Sequence, residues 1–222
     1  MSAIAAATAP WVLFGEDDVW LTTDYCSTLL REAAAHDAVA VAGRLVTARV
    51  PGRFDPEQLI DDQPAAHVDT VVDMNLIDAD FAARTRTSIP VPFLHTIALI
   101  RRDVFERVQF DTGYGGNGWR EETDFYLGLN AEGMKVVFTP HCVCYHLRGP
   151  ISAHGGQRIP RWKVEYHAWR NTARLVRKHW PMLTERYGLK GTPFTWTMAF
   201  MARRERMQAQ RWISGHRSSF RS

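Results

Sequence analysis

Trp11-Val-Leu-Phe-Gly-Glu-Asp-Asp18 is the stretch of this 222-residue sequence on which the interpretation of its fold depends. Four apolar residues followed by a glycine and three acids predict a buried strand whose carboxyl end carries the carboxylates. Open α/β sheets bind their ligands at that end of the strands. Because side chains alternate along a strand, we expect Glu16 and Asp18 to share a face and Asp17 to point elsewhere.

These acids are candidates for binding a cation. Neighbouring carboxylates repel one another unless a cation neutralises them, and hard oxygen ligands suit Mg²⁺ or Mn²⁺, which would also bind a diphosphate. We take Glu16, Asp17 and Asp18 as cofactor-binding candidates, with Glu16 and Asp18 as metal ligands. His146 follows an apolar stretch and is a candidate third ligand, because neutral imidazole binds Mn²⁺. The alternatives are an acidic turn and a structural histidine.

The remaining pattern predicts an α/β fold followed by long helices. Helices are predicted at residues 23–35, 102–108, 121–130, 161–179 and 194–212, and strands at 39–43, 68–74, 95–100, 135–139 and 142–145. The helix from residue 161 is expected to end at Trp180-Pro181, and the stretch 51–92 reads as an insertion or loop. We therefore divide the chain into an α/β domain, residues 1–150, and a helical extension, residues 151–222.

A second group of acids follows a glycine-rich loop. Residues 111–118 contain four glycines in eight positions, which predicts a flexible or tightly turning loop. Glu121, Glu122 and Asp124 come next, at the start of a predicted helix. A carboxylate here can act as a general base, and the loop before it can close over a substrate. Acids also stabilise a helix N-terminus through its dipole, and this alternative needs no catalysis.

Charge is distributed unevenly along the sequence. Up to His146 there are 11 Lys and Arg against 21 Asp and Glu, a net charge of −10, and from Leu147 onward there are 16 against 3, a net charge of +13. The acidic part suits a cation, and the basic part suits anions, an anionic acceptor or a membrane surface. A solvated basic helical face and a homodimer interface are the alternatives for the basic part. No nucleic-acid partner is expected.

The cysteines and the hydropathy pattern favour a cytoplasmic protein, with peripheral contact to the inner face of a membrane as an option. Cys26, Cys142 and Cys144 are too few for a disulfide framework and lack C-x-x-C spacing. We expect neither a signal peptide nor a membrane span, because the first ten residues carry no basic region and no apolar run reaches eighteen residues.

Taken together, the motifs resemble those of the family 2 glycosyltransferases. The stretch from Trp11 to Val19 is similar to that family's strand and D-x-D motif, with Glu16 in the first acidic position and Asp18 in the last. Leu99-Ile-Arg-Arg-Asp-Val-Phe105, Phe110-Asp111 and Glu121-Glu-Thr-Asp-Phe125 are similar to its acceptor-side segment. His146 stands at the position of the family's metal-ligand histidine, and Trp169-Arg-Asn171 with Arg177-Lys-His179 is similar to the helix that follows.

The resemblance implies a partial GT-A fold, which is a Rossmann-like nucleotide-diphospho-sugar transferase sheet. It implies an inverting transfer from a nucleotide-diphosphate sugar to a saccharide or lipid-linked acceptor hydroxyl, in polysaccharide, cell-wall or glycoconjugate synthesis. Asp18, Glu16 and His146 would hold Mn²⁺ or Mg²⁺, and Glu122 would be the base. Glu121 and Asp124 would orient acceptor or loop. The expected acceptor-side residues are Trp119, Arg120 and His95.

The sequence departs from the family pattern in two ways. Glu16 and Glu122 stand at positions where the family usually has aspartates. Only a short stretch precedes the acidic strand, where the family usually carries further nucleotide-binding strands. The alternative function is therefore a truncated, non-catalytic binding or assembly module, or a gene fragment of such an enzyme. A phosphoesterase is a third possibility, although its usual two-metal site needs more ligands.

Overall fold

A mixed β-sheet lies at the centre of the protein. The structure is a computed structural model that describes residues 3–49, 61, 64–116, 118–148 and 160–219. Its strands are β1 (Trp11–Leu13), β2 (Val19–Leu21), β3 (Ala40–Arg49), β4 (Val72–Asp73), β5 (Asp78–Ala79), β6 (Ile89–Pro90), β7 (Leu99–Arg101) and β8 (Val136–Arg148). Its helices are α1 (Ala3–Ala6), α2 (Tyr25–His36), a 3-10 helix (Arg102–Glu106), α3 (Glu121–Ala131), α4 (Arg161–Tyr187) and α5 (Pro193–Ser219).

The strands of the main sheet follow the order β1-β7-β3-β8-β2, and β6 also pairs with β8. The predicted α/β class with C-terminal helices is confirmed. Within the described residues of this sheet only β3 and β8 pair in parallel, and the other pairs are antiparallel. Strands β1 and β2 lie at opposite edges, so the acidic segment between them crosses from one edge of the sheet to the other.

The two faces of the sheet are covered by different helices. On one face, α2 packs through Tyr25 and Leu29 against Val41 and Leu99. The opposite face carries the larger cluster, which contains side chains of α3 and α4 together with Ala40 and Phe138. Burial of this apolar surface is the main driving force for the fold. Because α4 contributes to the same cluster, the helical extension shares a core with the α/β part.

The longest pairing, between β3 and β8, is interrupted by a bulge. Ala42 lies opposite Phe138, but Arg44 lies opposite Val143, so one residue of β3 spans four residues of β8. Gly43 sits at this point, where a Cβ atom would come within 2.7 Å of the Cys142 carbonyl oxygen. The bulge explains why the sequence predicts two short strands, at 135–139 and 142–145, where the structure has one.

The prediction that the first long helix ends at Trp180-Pro181 is wrong. Helix α4 continues to Tyr187 and is capped by Gly188, whose φ of 69° is in the left-handed region. Proline removes one intrahelical hydrogen bond. Pro181 and Arg177, whose carbonyl would accept that bond, are both exposed, whereas Leu183 of the next turn is fully buried. Packing on the buried side therefore outweighs the lost hydrogen bond.

Three predicted strands are shorter or more exposed in the structure. The predicted strand at 68–74 is reduced to β4, and the one at 95–100 is reduced to β7. Strand β1 is half-buried at a sheet edge, although its apolar sequence predicts full burial. The predicted boundary between residues 150 and 151 falls outside the described residues.

Candidate active site

Two carboxylates and an imidazole converge at one end of the sheet. The potential ligand atoms of Glu16, Asp18 and His146 all lie within 4.8 Å of one another. Antiparallel pairing of β2 with β8 places Val19 opposite His146, and the Leu147 amide donates to the Asp18 carbonyl oxygen at 2.8 Å. Backbone pairing thus brings together side chains that are 128 positions apart.

The geometry of this triad fits a divalent cation. His146 Nε2 lies 3.1 Å from Asp18 Oδ2; both of these side chains are partly exposed, and Glu16 is exposed. Among the described residues, no lysine or arginine forms an ion pair with Glu16 or Asp18. Two carboxylates without a lysine or arginine partner, beside an imidazole nitrogen, form a donor set suited to a divalent metal. Asp17 is exposed and is not part of this group.

A cavity of about 240 Å³ contains Glu122. It is lined by Phe14, Thr96, Ile100, Phe110, Glu121, Glu122 and Tyr126. Thr96 Oγ1 donates a weak hydrogen bond to Glu122 Oε1 at 3.4 Å. The pKa of Glu122 is raised, mainly by burial and further by the charges of Glu121 and Glu16. A carboxylate with a raised pKa is a stronger base than one in water, which is what proton abstraction requires.

Electrostatics connects this cavity to the triad of Glu16, Asp18 and His146. Glu16 belongs to the triad and is also one of the charges that raise the pKa of Glu122. A cation bound at the triad would therefore act on the charge of the half-buried Glu122 carboxylate. The structure thus joins the two acidic motifs, which are more than one hundred positions apart in the sequence.

Glu121 lies between the cavity and the glycine-rich loop. Its pKa is raised by burial first, and then by the negative charges of Asp111 and Asp124. Its carboxylate packs against Gly118, where a Cβ atom would lie 2.7 Å from Glu121 Oε2. Gly118 also has a φ of 71°, which favours glycine. A larger residue at this position would displace the carboxylate.

Asp124 is on the opposite side of α3 and pairs with α4. Its side chain is 1% exposed, and it accepts hydrogen bonds from Lys178 Nζ at 2.6 Å and from His179 Nε2 at 2.8 Å. Burial alone would raise the pKa of Asp124, but the hydrogen bonds from His179 and Lys178 outweigh it and lower the pKa. This carboxylate holds α3 to α4 and does not line the Glu122 cavity.

Trp119 and Arg120 connect the loop to α5. The Arg120 guanidinium lies 5.3 Å from the Trp119 ring centre and 5.4 Å from that of Phe200, and it donates to the Ile77 carbonyl oxygen. Burial lowers the pKa of Arg120 to about 10. The Arg204 guanidinium of α5 also lies over the Trp119 ring, 5.6 Å from its centre. The partly exposed Trp119 can still contact a ligand, whereas Arg120 is buried under it.

The structure places His95 in the core and not in an acceptor pocket. Its Nε2 lies 2.9 Å from the Gly43 carbonyl oxygen, and its Nδ1 accepts from the Ile97 amide at 3.2 Å. These partners assign the proton to Nε2. Burial lowers the pKa of His95 to about 4, so the ring is neutral and both nitrogens are used structurally.

Five of the seven residues that line the Glu122 cavity have no site role predicted from the sequence. They are Phe14, Thr96, Ile100, Phe110 and Tyr126. Phe110 belongs to the Phe110-Asp111 motif, so its position was noted without a role. Thr96 and Tyr126 carry no sequence signal, because an isolated threonine near a strand and a tyrosine within a helix are common in any core.

Comparisons with known proteins give limited information. No family model matches the chain, and no curated protein matches it. A solved structure of GalNAc-T7 with UDP, GalNAc and Mn²⁺ is similar in fold, with a TM-score of 0.47 and 13% identity over 88% of this chain. The chain spans 41% of the length of that protein. A likeness at this level is weak.

Within the part of the chain that the structure describes, no helix is both long enough and apolar enough to span a membrane.

Proposed function

We propose that this chain is a metal-dependent glycosyltransferase of the GT-A type. It transfers a sugar from a nucleotide-diphosphate sugar to an acceptor hydroxyl, with inversion. The main support is that Glu16 belongs to the candidate metal-binding triad and lies two positions after Phe14, which lines the cavity of Glu122. A cation site beside a partly buried base is the arrangement that such a transfer needs. The resemblance of the motifs to family 2 glycosyltransferases supports the same reaction.

Glu122 is the proposed general base. Its carboxylate removes the proton of the acceptor hydroxyl while that oxygen bonds to the anomeric carbon. The bond between that carbon and the nucleotide diphosphate breaks on the opposite face, which inverts the configuration. Thr96 donates to one carboxylate oxygen and leaves the other available to take the proton. Glu121 sits beside the base and orients the loop over the substrate.

Glu16, Asp18 and His146 are the proposed metal ligands. A bound divalent cation would neutralise the diphosphate as it leaves. Mn²⁺ fits the mixed oxygen and nitrogen donors better than Mg²⁺, which favours oxygen ligands alone. Asp17 is adjacent but exposed, and we assign it no metal contact.

Calorimetric titration with nucleoside diphosphates tests the donor site. We expect saturable binding that requires Mn²⁺ and that Asp18→Ala or His146→Ala weakens by at least about 100-fold, since even outer-shell changes cost up to that much. Asp17→Ala is the matched control and should bind like the unmodified protein. Glu122→Gln should also bind normally, because its proposed role is in proton transfer.

Two outcomes would contradict the proposal. Absence of nucleotide binding by the folded chain would favour the non-catalytic binding or assembly module. Equal weakening by Asp17→Ala and Asp18→Ala would show that only the overall negative charge of the segment matters. Once a donor is identified, Glu122→Gln should abolish transfer while leaving donor affinity unchanged.

A further inference from the structure

A second cavity lies on the other side of the Phe110-Asp111 segment. Its volume is about 430 Å³, and it forms a groove between α4 and the glycine-rich loop. We call it the α4 groove. Its lining residues are Asp111, Trp169, Arg170, Ala173, Arg174, Arg177 and Lys178. Four of these seven residues are cationic and one is acidic, so the groove is strongly positive.

The one acid of the groove is already neutralised. Asp111 accepts two hydrogen bonds from the Arg174 guanidinium, at 2.9 and 2.8 Å, and lies 3.6 Å from Lys178 Nζ. Arg177 is exposed and forms no ion pair with any described residue. Lys178 also donates to Asp124 at 2.6 Å, so the positive charge that the groove retains is that of Arg170 and Arg177.

Contacts with the loop hold two of the arginines in place. Arg170 donates to the Gly113 carbonyl oxygen at 3.2 Å, and a Cβ atom on Gly113 would lie only 2.4 Å from the Arg174 guanidinium. The Arg174 guanidinium also lies 5.8 Å from the Tyr114 ring centre. Arginines held in fixed positions lose less conformational freedom when they bind an anion.

The α4 groove adjoins the cavity of the proposed base. Phe110 lines the Glu122 cavity, and its neighbour Asp111 lines the groove. Asp111 also raises the pKa of Glu121, which lines the Glu122 cavity, so a ligand that extends from the groove past Asp111 would approach the proposed base. Trp169, which is 42% exposed, offers a flat apolar surface to a sugar ring within the groove.

We propose that the α4 groove binds a phosphoryl group of a phosphorylated saccharide acceptor, whose reacting hydroxyl then reaches Glu122. This inference rests on the proposed transferase function. Arginine forks match the oxygens of a phosphoryl group, and several cations around one cavity suit its multiple charge. A concave groove suits a small head group better than a flat membrane surface.

Titration calorimetry with glucose 1-phosphate and inorganic pyrophosphate tests this site. The titrations are run in EDTA, so that the Glu16, Asp18 and His146 triad holds no metal. We expect both compounds to bind, affinity to fall with added salt, and unphosphorylated glucose not to bind. Arg177→Gln should weaken binding by about tenfold, since it removes a charge-assisted hydrogen bond.

Arg206→Gln is the matched control, because Arg206 is an exposed arginine on α5 outside the groove. It should leave binding unchanged. Arg170→Gln is a second groove variant and should weaken binding as Arg177→Gln does. Thermal unfolding of each variant checks that it folds. Equal effects of Arg177→Gln and Arg206→Gln would overturn the proposal, as would no binding of either phosphate compound.

A binding measurement with lipid vesicles distinguishes this proposal from binding to a membrane surface. Phosphatidylglycerol vesicles that bind in an Arg177-dependent way, with no binding of glucose 1-phosphate, would overturn it in favour of a membrane surface. The metal-free assay also keeps the two proposals apart. Binding of glucose 1-phosphate or pyrophosphate without any Mn²⁺-dependent nucleotide binding would support the groove as a phosphoryl-binding site and contradict the transferase function.

Discussion

The two groups of carboxylates in the acidic part of the protein are neutralised in different ways. Asp111 and Asp124 pair with lysine, arginine and histidine side chains of α4. Glu16 and Asp18 have only His146 beside them among the described residues. Both groups look alike in the sequence, as acids at the end of a strand or the start of a helix.

The difference distinguishes a structural carboxylate from one that is available for a ligand. Asp124 is 1% exposed, and its charge is balanced by cations that the chain itself supplies. The triad is partly exposed, and its charge is left for a cation from solution. We therefore expect removal of Asp124 to reduce stability, and removal of Asp18 to reduce metal binding.

The largest expected effect is on the stability of an Asp124→Ala variant. Removing this carboxylate leaves the buried His179 without its acceptor, which costs up to about 3 kcal/mol of unfolding free energy, whereas the 45% exposed Lys178 regains water. Urea unfolding measures this loss. The control is Asp17→Ala, an exposed change that we expect to cost less than about 0.5 kcal/mol. Similar values for the two variants would remove the distinction between the carboxylate groups.

The next effect is stabilisation by metal. A ligand at a hundredfold excess over its Kd raises the unfolding free energy by about 2.7 kcal/mol. We expect Mn²⁺ to raise the melting temperature of the unmodified protein and of Asp17→Ala, but not of Asp18→Ala. A Mn²⁺-dependent shift that survives in Asp18→Ala would place the metal elsewhere.

A third effect is on pH dependence. The folded pKa of Asp124 is lowered, so its stabilising contribution is present above the unfolded pKa and is lost as pH falls through the folded value. The stability difference between the unmodified protein and Asp124→Ala should therefore be constant near neutral pH and shrink below about pH 4. Urea unfolding between neutral pH and pH 3 measures it. A difference that grows on acidification would contradict the assigned ion pairs.

The smallest effect is expected for Arg174→Gln. Arg174 pairs with Asp111, but its side chain is 44% exposed, and exposed ion pairs contribute at most about 1 kcal/mol. We expect a loss of roughly 0.5 kcal/mol by urea unfolding. A loss as large as that of Asp124→Ala would mean that the pair is shielded from solvent more than its exposure indicates.

Much of the secondary structure could be predicted from sequence, because it follows local patterns. The apolar spacing and turn residues correctly predict α2, α3 and the 3-10 helix, to within a few residues. The end of α4 could not be predicted, since Pro181 is tolerated only because Leu183 and its neighbours are buried against other elements. The mixed pairing of the sheet also depends on contacts between distant segments.

The candidate site was predicted in part. The sequence suggested that Glu16, Asp18 and His146 act together, and the structure brings them together. The spacing of residues does not separate Glu122 from Asp124, because both lie in the first turn of α3, and only the family resemblance favours Glu122 as the base. Their difference comes from α4, whose Lys178 and His179 reach one carboxylate and not the other. Membrane contact, dimerisation and the domain boundary stay predictions.

The bulge between β3 and β8 determines the direction of His146. Val137 and Cys144 both belong to the α2-side cluster, although they are seven positions apart and strict alternation would put them on opposite faces. The irregular pairing of residues 139–142 brings Cys144 back to the α2 side of the sheet. His146, two positions after Cys144, therefore faces the same side. Deletion of a single residue there would turn the imidazole to the other side of the sheet and leave Asp18 without it. The length of this four-residue irregularity, which contains no member of the triad, is thus a condition for the proposed metal site.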